Sequence, residues 1–239
     1  TVRAGFPLEI MAEVDPGLRL EEVEAATMKI LDANRPLLGT GDDLVVTQVV
    51  SLSPIQTADE IPTINVVISC QLVDFSDFAE SYLQGVRVVT PATYGVPKRE
   101  PQSGSGGAGQ QVVSLMTGRE GNITECAGAS FLFVGDGRLK LPDRRDILPG
   151  ISMQTVLEMA ESLGIGVDED RYSAHDGYLA DEAFVTSTRY CMLPVATLNG
   201  YRLGEDLPGP VTRRLLDAWA NMVGVDFVRQ GHDHLPPDN

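Results

Sequence analysis

Apolar residues along this chain change their spacing from one stretch to the next, and the changes mark its elements. Leu20, Val23, Thr27, Ile30 and Leu31 recur at helical spacing between Leu18 and Asn34, and Arg35-Pro36 closes the run, so the pattern predicts an amphipathic helix. Asp43 to Leu52 (DLVVTQVVSL) and Thr63 to Leu72 (TINVVISCQL) are rich in β-branched residues and predict two strands. Phe78 to Leu83 reads as a short helical turn closed by Gly85, and Val86 to Val89 as a third strand. The periodicity then stops. Residues 90–111 hold clusters of proline and glycine, including SGSGGAG at 103–109, and read as an interdomain loop. Beyond it, strands are expected at Val112–Met116, Ser130–Val134 and Ala183–Thr186. A helix is expected at Met153–Leu163, with Val156, Met159, Ala160 and Leu163 on one face. Another is expected at Pro210–Met222, carrying Leu215, Leu216, Trp219 and Met222. Strands interleaved with helices predict an α/β architecture. The composition shift divides it into a small domain at 1–89, the loop at 90–111, and a larger domain at 112–239.

Composition narrows the function classes. Hydrophobic residues make up 43% of the 239, enough for a buried core. No apolar run reaches the length of a membrane span, and no charged-then-apolar leader opens the chain, so no membrane association is expected. Residue 1 is threonine, so processing or a preceding segment is expected. The odd, widely spaced cysteines Cys70, Cys126 and Cys191 argue against a disulfide framework and point to a reducing cytoplasm. With 18 basic against 34 acidic residues, net −16, the chain lacks the basic footprint of a nucleic-acid binder. That charge also means that an anionic ligand needs a locally built site. His232-Asp233-His234 has a metal-ligand spacing but sits in a proline-ended tail that water can solvate, and no metal site is expected.

The stretch from Asn122 to Val195 carries an ordered set of blocks: ITECAGASFLFV (123–134), DGRL (136–139), ILPGISMQTVLEMAESLGI (147–165), ADEAFVTSTRY (180–190) and LPV (193–195). This set resembles the fold-type IV enzymes of pyridoxal 5′-phosphate (PLP): branched-chain aminotransferases, D-amino-acid aminotransferases and aminodeoxychorismate lyases. The resemblance is close over the C-terminal half and loose over the N-terminal half. It implies the two-lobed α/β fold of class IV aminotransferases (D-amino-acid aminotransferase-like), a homodimer, and PLP as cofactor. It further implies transamination between a small amino acid, branched-chain by preference, and a 2-oxo acid. An aminodeoxychorismate lyase and a non-catalytic relative share the same blocks and stay open as alternatives.

PLP makes three demands: a carboxylate for its ring nitrogen, backbone donors for its phosphate, and a lysine for its aldehyde. The resemblance assigns the first to Glu125 of ITE, which read alone is an ordinary surface acid before a strand. It assigns the second to Ile151 and Ser152, where Pro149-Gly150 turns the chain into a helix and the serine also suits an N-cap, and to Thr188. It gives this loop, with Ser187, to the substrate carboxylate as well, and Arg189 beside it is a further candidate for that carboxylate. Arg189 stands where a branched-chain enzyme has a small residue; its guanidinium suits either a bidentate clamp or solvent. The third demand meets only Lys29, Lys98 and Lys140, of which Lys98 alone has the family's order, upstream of Glu125 and after a strand. The segment after it, REPQSGSGGAGQ, lacks the family's helix and its tyrosine, and the family's His-x-x-Arg-Leu helix has no match between Phe6 and Leu18. These departures are read either as losses or as segments missing from the sequence.

Overall fold

The structure is a computed structural model, and it describes residues 19–52, 64–90 and 111–235. Lys98 and most of the proline- and glycine-rich loop lie outside the described residues. The chain divides into two compact units, Thr1–Asp74 and Phe75–Asn239.

In the first unit, helix α1 (Leu20–Asn34) packs on an antiparallel pair of strands, β1 (Leu44–Leu52) and β2 (Ile64–Leu72). β2 alternates half-buried Ile64, Val66, Ile68 and Cys70 with exposed Asn65, Val67, Ser69 and Gln71, the period-2 pattern of a sheet covered on one face. Thr27 is buried in α1, donates to the Val23 carbonyl at 2.7 Å and accepts from the Gln48 amide at 2.8 Å. These bonds satisfy the one polar side chain on the helix's buried face.

The second unit is built on one mixed sheet. Its elements are α2 (Ser81–Gln84), β3 (Val86–Val89), β4 (Val112–Thr117), β5 (Ile123–Cys126), β6 (Ser130–Gly135), β7 (Arg138–Pro142), α3 (Ile151–Ser162), β8 (Val167–Asp170), α4 (Ala174–Tyr178), β9 (Glu182–Ser187), β10 (Cys191–Leu198), β11 (Tyr201–Arg202), α5 (Pro210–Val223) and α6 (Phe227–Asp233). Strand order is β5-β4-β3-β10-β9-β6-β7-β8, with β11 beside β10. Three pairs are parallel, β3–β4, β3–β10 and β7–β8, and the rest are antiparallel. β3, which the composition shift groups with the first domain, is thus hydrogen-bonded inside the larger unit's sheet.

β6 and β9 form the centre. Phe131 to Val134 and Ala183 to Thr186 are buried on both faces, so neither strand shows polar alternation. α3 lays Met153, Val156, Met159 and Ala160 against this centre, and α5 adds Val211, Leu215, Leu216 and Trp219. The packing brings Gly150, the residue that opens α3, against Ser130 at the start of β6.

Candidate active site

One end of the large sheet gathers residues from three strands. β5 ends at Glu125 and Cys126; the turn through Gly128, at φ +73°, reverses the chain into Ser130 of β6; and β9 ends at Thr186 and Ser187. Gly128 takes that positive φ without a β-carbon penalty. Ser130 and Thr186 face one another across the β6–β9 ladder. Over this end lies the loop Leu148–Gly150, which leads into α3. Together Glu125, Cys126, Gly128, Ala129, Ser130, Leu148, Gly150, Ile151, Ser152 and Thr186 to Thr188 line a pocket of about 220 Å³.

The α3 end is electropositive. Gly150 is the N-cap, in extended backbone, and neither a capping side chain nor an acid in the first turn neutralises the helix end. Among the described residues the first turn's N–H groups have no acceptor, so they are open to an anion, and the helix dipole adds to their pull. Ser152 is 6% exposed. Thr188 is exposed on the rim.

The β5 side contributes a negative charge. Glu125 is half-buried, and one carboxylate oxygen accepts the Leu148 N–H at 2.9 Å. Among the described residues it has no cationic partner. Burial first, and the Glu125 charge second, push the Cys126 thiol well above its ordinary range, so it stays neutral. The pocket thus holds both the open amides of a helix start and a carboxylate that has no cationic partner among the described residues. The same short loop, Leu148 to Gly150, holds Glu125 and opens α3.

Glu125, Ile151, Ser152, Ser187 and Thr188, singled out from sequence, all come to this pocket. Arg189 does not line it; its guanidinium pairs with Asp77 in the short turn before α2, and both side chains are about half exposed. Lys98 is outside the described residues. Lys140, on β7, is engaged by Asp168 at 2.7 Å. Sequence reasoning missed Ser130, Thr186 and the Leu148 amide. The small-residue turn 126–129 was the signal available for Ser130, because it returns the next residue to the same end of the sheet. A larger groove, about 960 Å³, runs along α5 and α6 past Tyr82, Leu207, Arg213, Asp217 and Val225, and holds none of the motif residues.

Comparison with known proteins agrees with the resemblance read from the blocks. Residues 108–198 match the family Amino-transferase class IV. The branched-chain-amino-acid aminotransferase of Escherichia coli K12 is 33% identical over 158 residues, covering 59% of this chain and 51% of that protein. That of Pseudomonas aeruginosa is 33% identical over 119 residues, 50% of this chain and 38% of that one. The chain thus spans about half, or less, of the curated relatives it matches. Among solved structures, the PLP form of a branched-chain amino acid aminotransferase from Thermobaculum terrenum superposes with a TM-score of 0.73 at 22% identity, covering 94% of this chain and 78% of that one. A putative 4-amino-4-deoxychorismate lyase from Legionella pneumophila superposes at 0.72 with 14% identity, covering 90% and 82%. The fold is that of the class IV aminotransferases, as the ordered blocks led one to expect.

Proposed function

We propose that this pocket takes pyridoxal 5′-phosphate and that the chain serves transamination between a small, branched-chain-like amino acid and a 2-oxo acid. The observation that carries the reading is the company the pocket keeps: amide donors at the uncapped start of α3 and a Glu125 carboxylate with no cationic partner among the described residues. The residues fit the cofactor. A dianionic phosphate needs the donors that α3 leaves open, and a ring nitrogen that keeps its proton needs an acid with no competing cation. When bound, the cofactor supplies the electron sink that lets an amino acid lose its α-proton.

The remaining roles belong to this chain's own groups. Glu125 would hold the proton at the ring nitrogen, steadied by its bond to Leu148. Ile151, Ser152 and Thr188 would bind the phosphate. Ser187 would meet the substrate carboxylate, and Arg189 would join it only by exchanging Asp77 for that carboxylate. Lys98 would be the lysine for the aldehyde. The family match and the 33%-identical branched-chain relatives favour this reading over a lyase. By the same analogy the chain is a homodimer, and its three cysteines, none in a disulfide, suit a reducing, cytoplasmic setting; sedimentation as a monomer at micromolar concentration would contradict the first.

Two assays on the purified chain with added cofactor test the activity. Glutamate formed from leucine and 2-oxoglutarate is the expected product. Pyruvate released from aminodeoxychorismate, without glutamate formation, would replace the transaminase reading with the lyase. Neither product, with cofactor bound, would make the chain a non-catalytic relative.

A further inference from the structure

Ser130 carries none of the roles assigned to the motif residues, yet it forms a wall of the same pocket. It opens β6 opposite Thr186, is 7% exposed, and its hydroxyl makes no hydrogen bond among the described residues. Its Oγ lies against the start of α3: a β-carbon placed on Gly150 would sit 2.9 Å from it. Gly150 has φ −62°, an angle open to any residue, so its backbone does not require glycine. What glycine supplies there is room for the Ser130 hydroxyl beside the first turn of the helix. Ser152, 6% exposed, is a second hydroxyl without a partner among the described residues, and it belongs to that first turn. Two nine-tenths-buried hydroxyls, one from the sheet and one from the helix, thus border the same open amides. Both oxygens stay accessible from the pocket, so a ligand that accepts from them takes the place of water there.

We propose that Ser130 is a ligand of the anion seated at the start of α3, donating its hydroxyl proton from the sheet side while the helix amides, Ser152 and Thr188 donate from the others. The inference rests on the reading that the pocket takes a phosphorylated cofactor, and it names the sheet's contribution to that end. Donors arriving from the helix, the sheet and the rim loop suit a tetrahedral group with three terminal oxygens. A planar carboxylate offers only two oxygens and leaves one direction unanswered. Gly150 is then a specificity element, because a side chain there displaces the hydroxyl.

The test is calorimetric titration of the whole chain with inorganic phosphate, pyridoxal phosphate and pyridoxal. Ser130→Ala is expected to weaken both phosphate-bearing probes about ten-fold, the loss of one hydrogen bond to a charged group, and to leave pyridoxal affinity unchanged. Ser130→Cys should behave alike, since a thiol of nearly the same size is a weak donor. Variants that bind phosphate as tightly as the parent overturn the proposal, and so does equal weakening of all three probes, which marks Ser130 as a packing residue. A parent chain that binds inorganic phosphate but not pyridoxal phosphate defeats the cofactor reading and leaves the Ser130 comparison standing. A parent chain that binds none of the three overturns both.

Discussion

Glu125 separates two kinds of contribution at the residue scale. One of its oxygens accepts from Leu148 and fixes the side chain; the charge on the group is what a protonated ring nitrogen needs. Glu125→Gln retains an acceptor for Leu148 and removes the charge. Turnover should fall by ~10²–10³-fold, the scale of one preorganised electrostatic contact, while cofactor affinity changes only a few-fold because the phosphate end is untouched. Steady-state kinetics beside a cofactor titration checks this, and an unchanged kcat removes Glu125 from the role. Glu125, Ser152 and Thr188 were legible in the sequence because each sits in its own short block. Ser130 was not, because its place opposite Thr186 and beside Gly150 comes from strand pairing and helix placement far along the chain. Arg189 could be read either as a clamp or as a solvated group, since its partner Asp77 belongs to a distant turn.

At the scale of elements, Glu182 of β9 shows how the sheet fixes a helix. It is 5% exposed, and its two carboxylate oxygens accept the Val211 and Thr212 N–H groups at 2.8 Å each, capping α5 across the sheet. Glu182→Ala leaves those amides without acceptors and should cost about 2–3 kcal/mol in urea denaturation, with α5 as the first helix to lose amide protection. The β7–β8 edge behaves differently. Asp168 is held far below the usual carboxylate range, first by its hydrogen bonds with Arg138 and then by Lys140. Asp143 is lowered by Arg145 in the same way. A folded-state pKa below the unfolded value of about 3.9 means that this stability is complete above roughly pH 5 and fades as pH falls through 4 and below. Melting temperature should therefore be flat from pH 8 to about 5 and fall below it, and Asp168→Asn should shallow the fall. Because Arg138 and Asp168 are open to solvent, added salt should shallow their share of it, whereas Asp143, 8% exposed, is screened less. The long apolar patterns of α1, β1, β2, α3 and α5 were legible in the sequence. β8 (VDED) was hidden by its acidity, an edge strand bordered by arginine and lysine on β7. β10 was hidden by Pro194, which a strand accepts there because β3 begins to pair only at Val195.

At the scale of the whole molecule, the described residues hold two units with unequal means of support. A two-stranded sheet with one helix is marginal by itself, whereas the larger unit encloses a core of phenylalanine, leucine and valine around β6 and β9. The composition shift at 90–111 suggested a boundary there, yet the compact units divide at Asp74 and Phe75. The reason is topological: β3 joins β4 and β10 by parallel pairing, which no local pattern announces. No helix among the described residues is long and apolar enough to cross a membrane. The proposed function turns on one feature, the pocket that brings Glu125 to the start of α3. Amide chemical-shift mapping during titration with pyridoxal phosphate tests it most directly. Saturable shifts are expected at Ile151, Ser152, Thr188 and Glu125. No shifts at saturating cofactor, or shifts confined to the groove along α5 and α6, would contradict it.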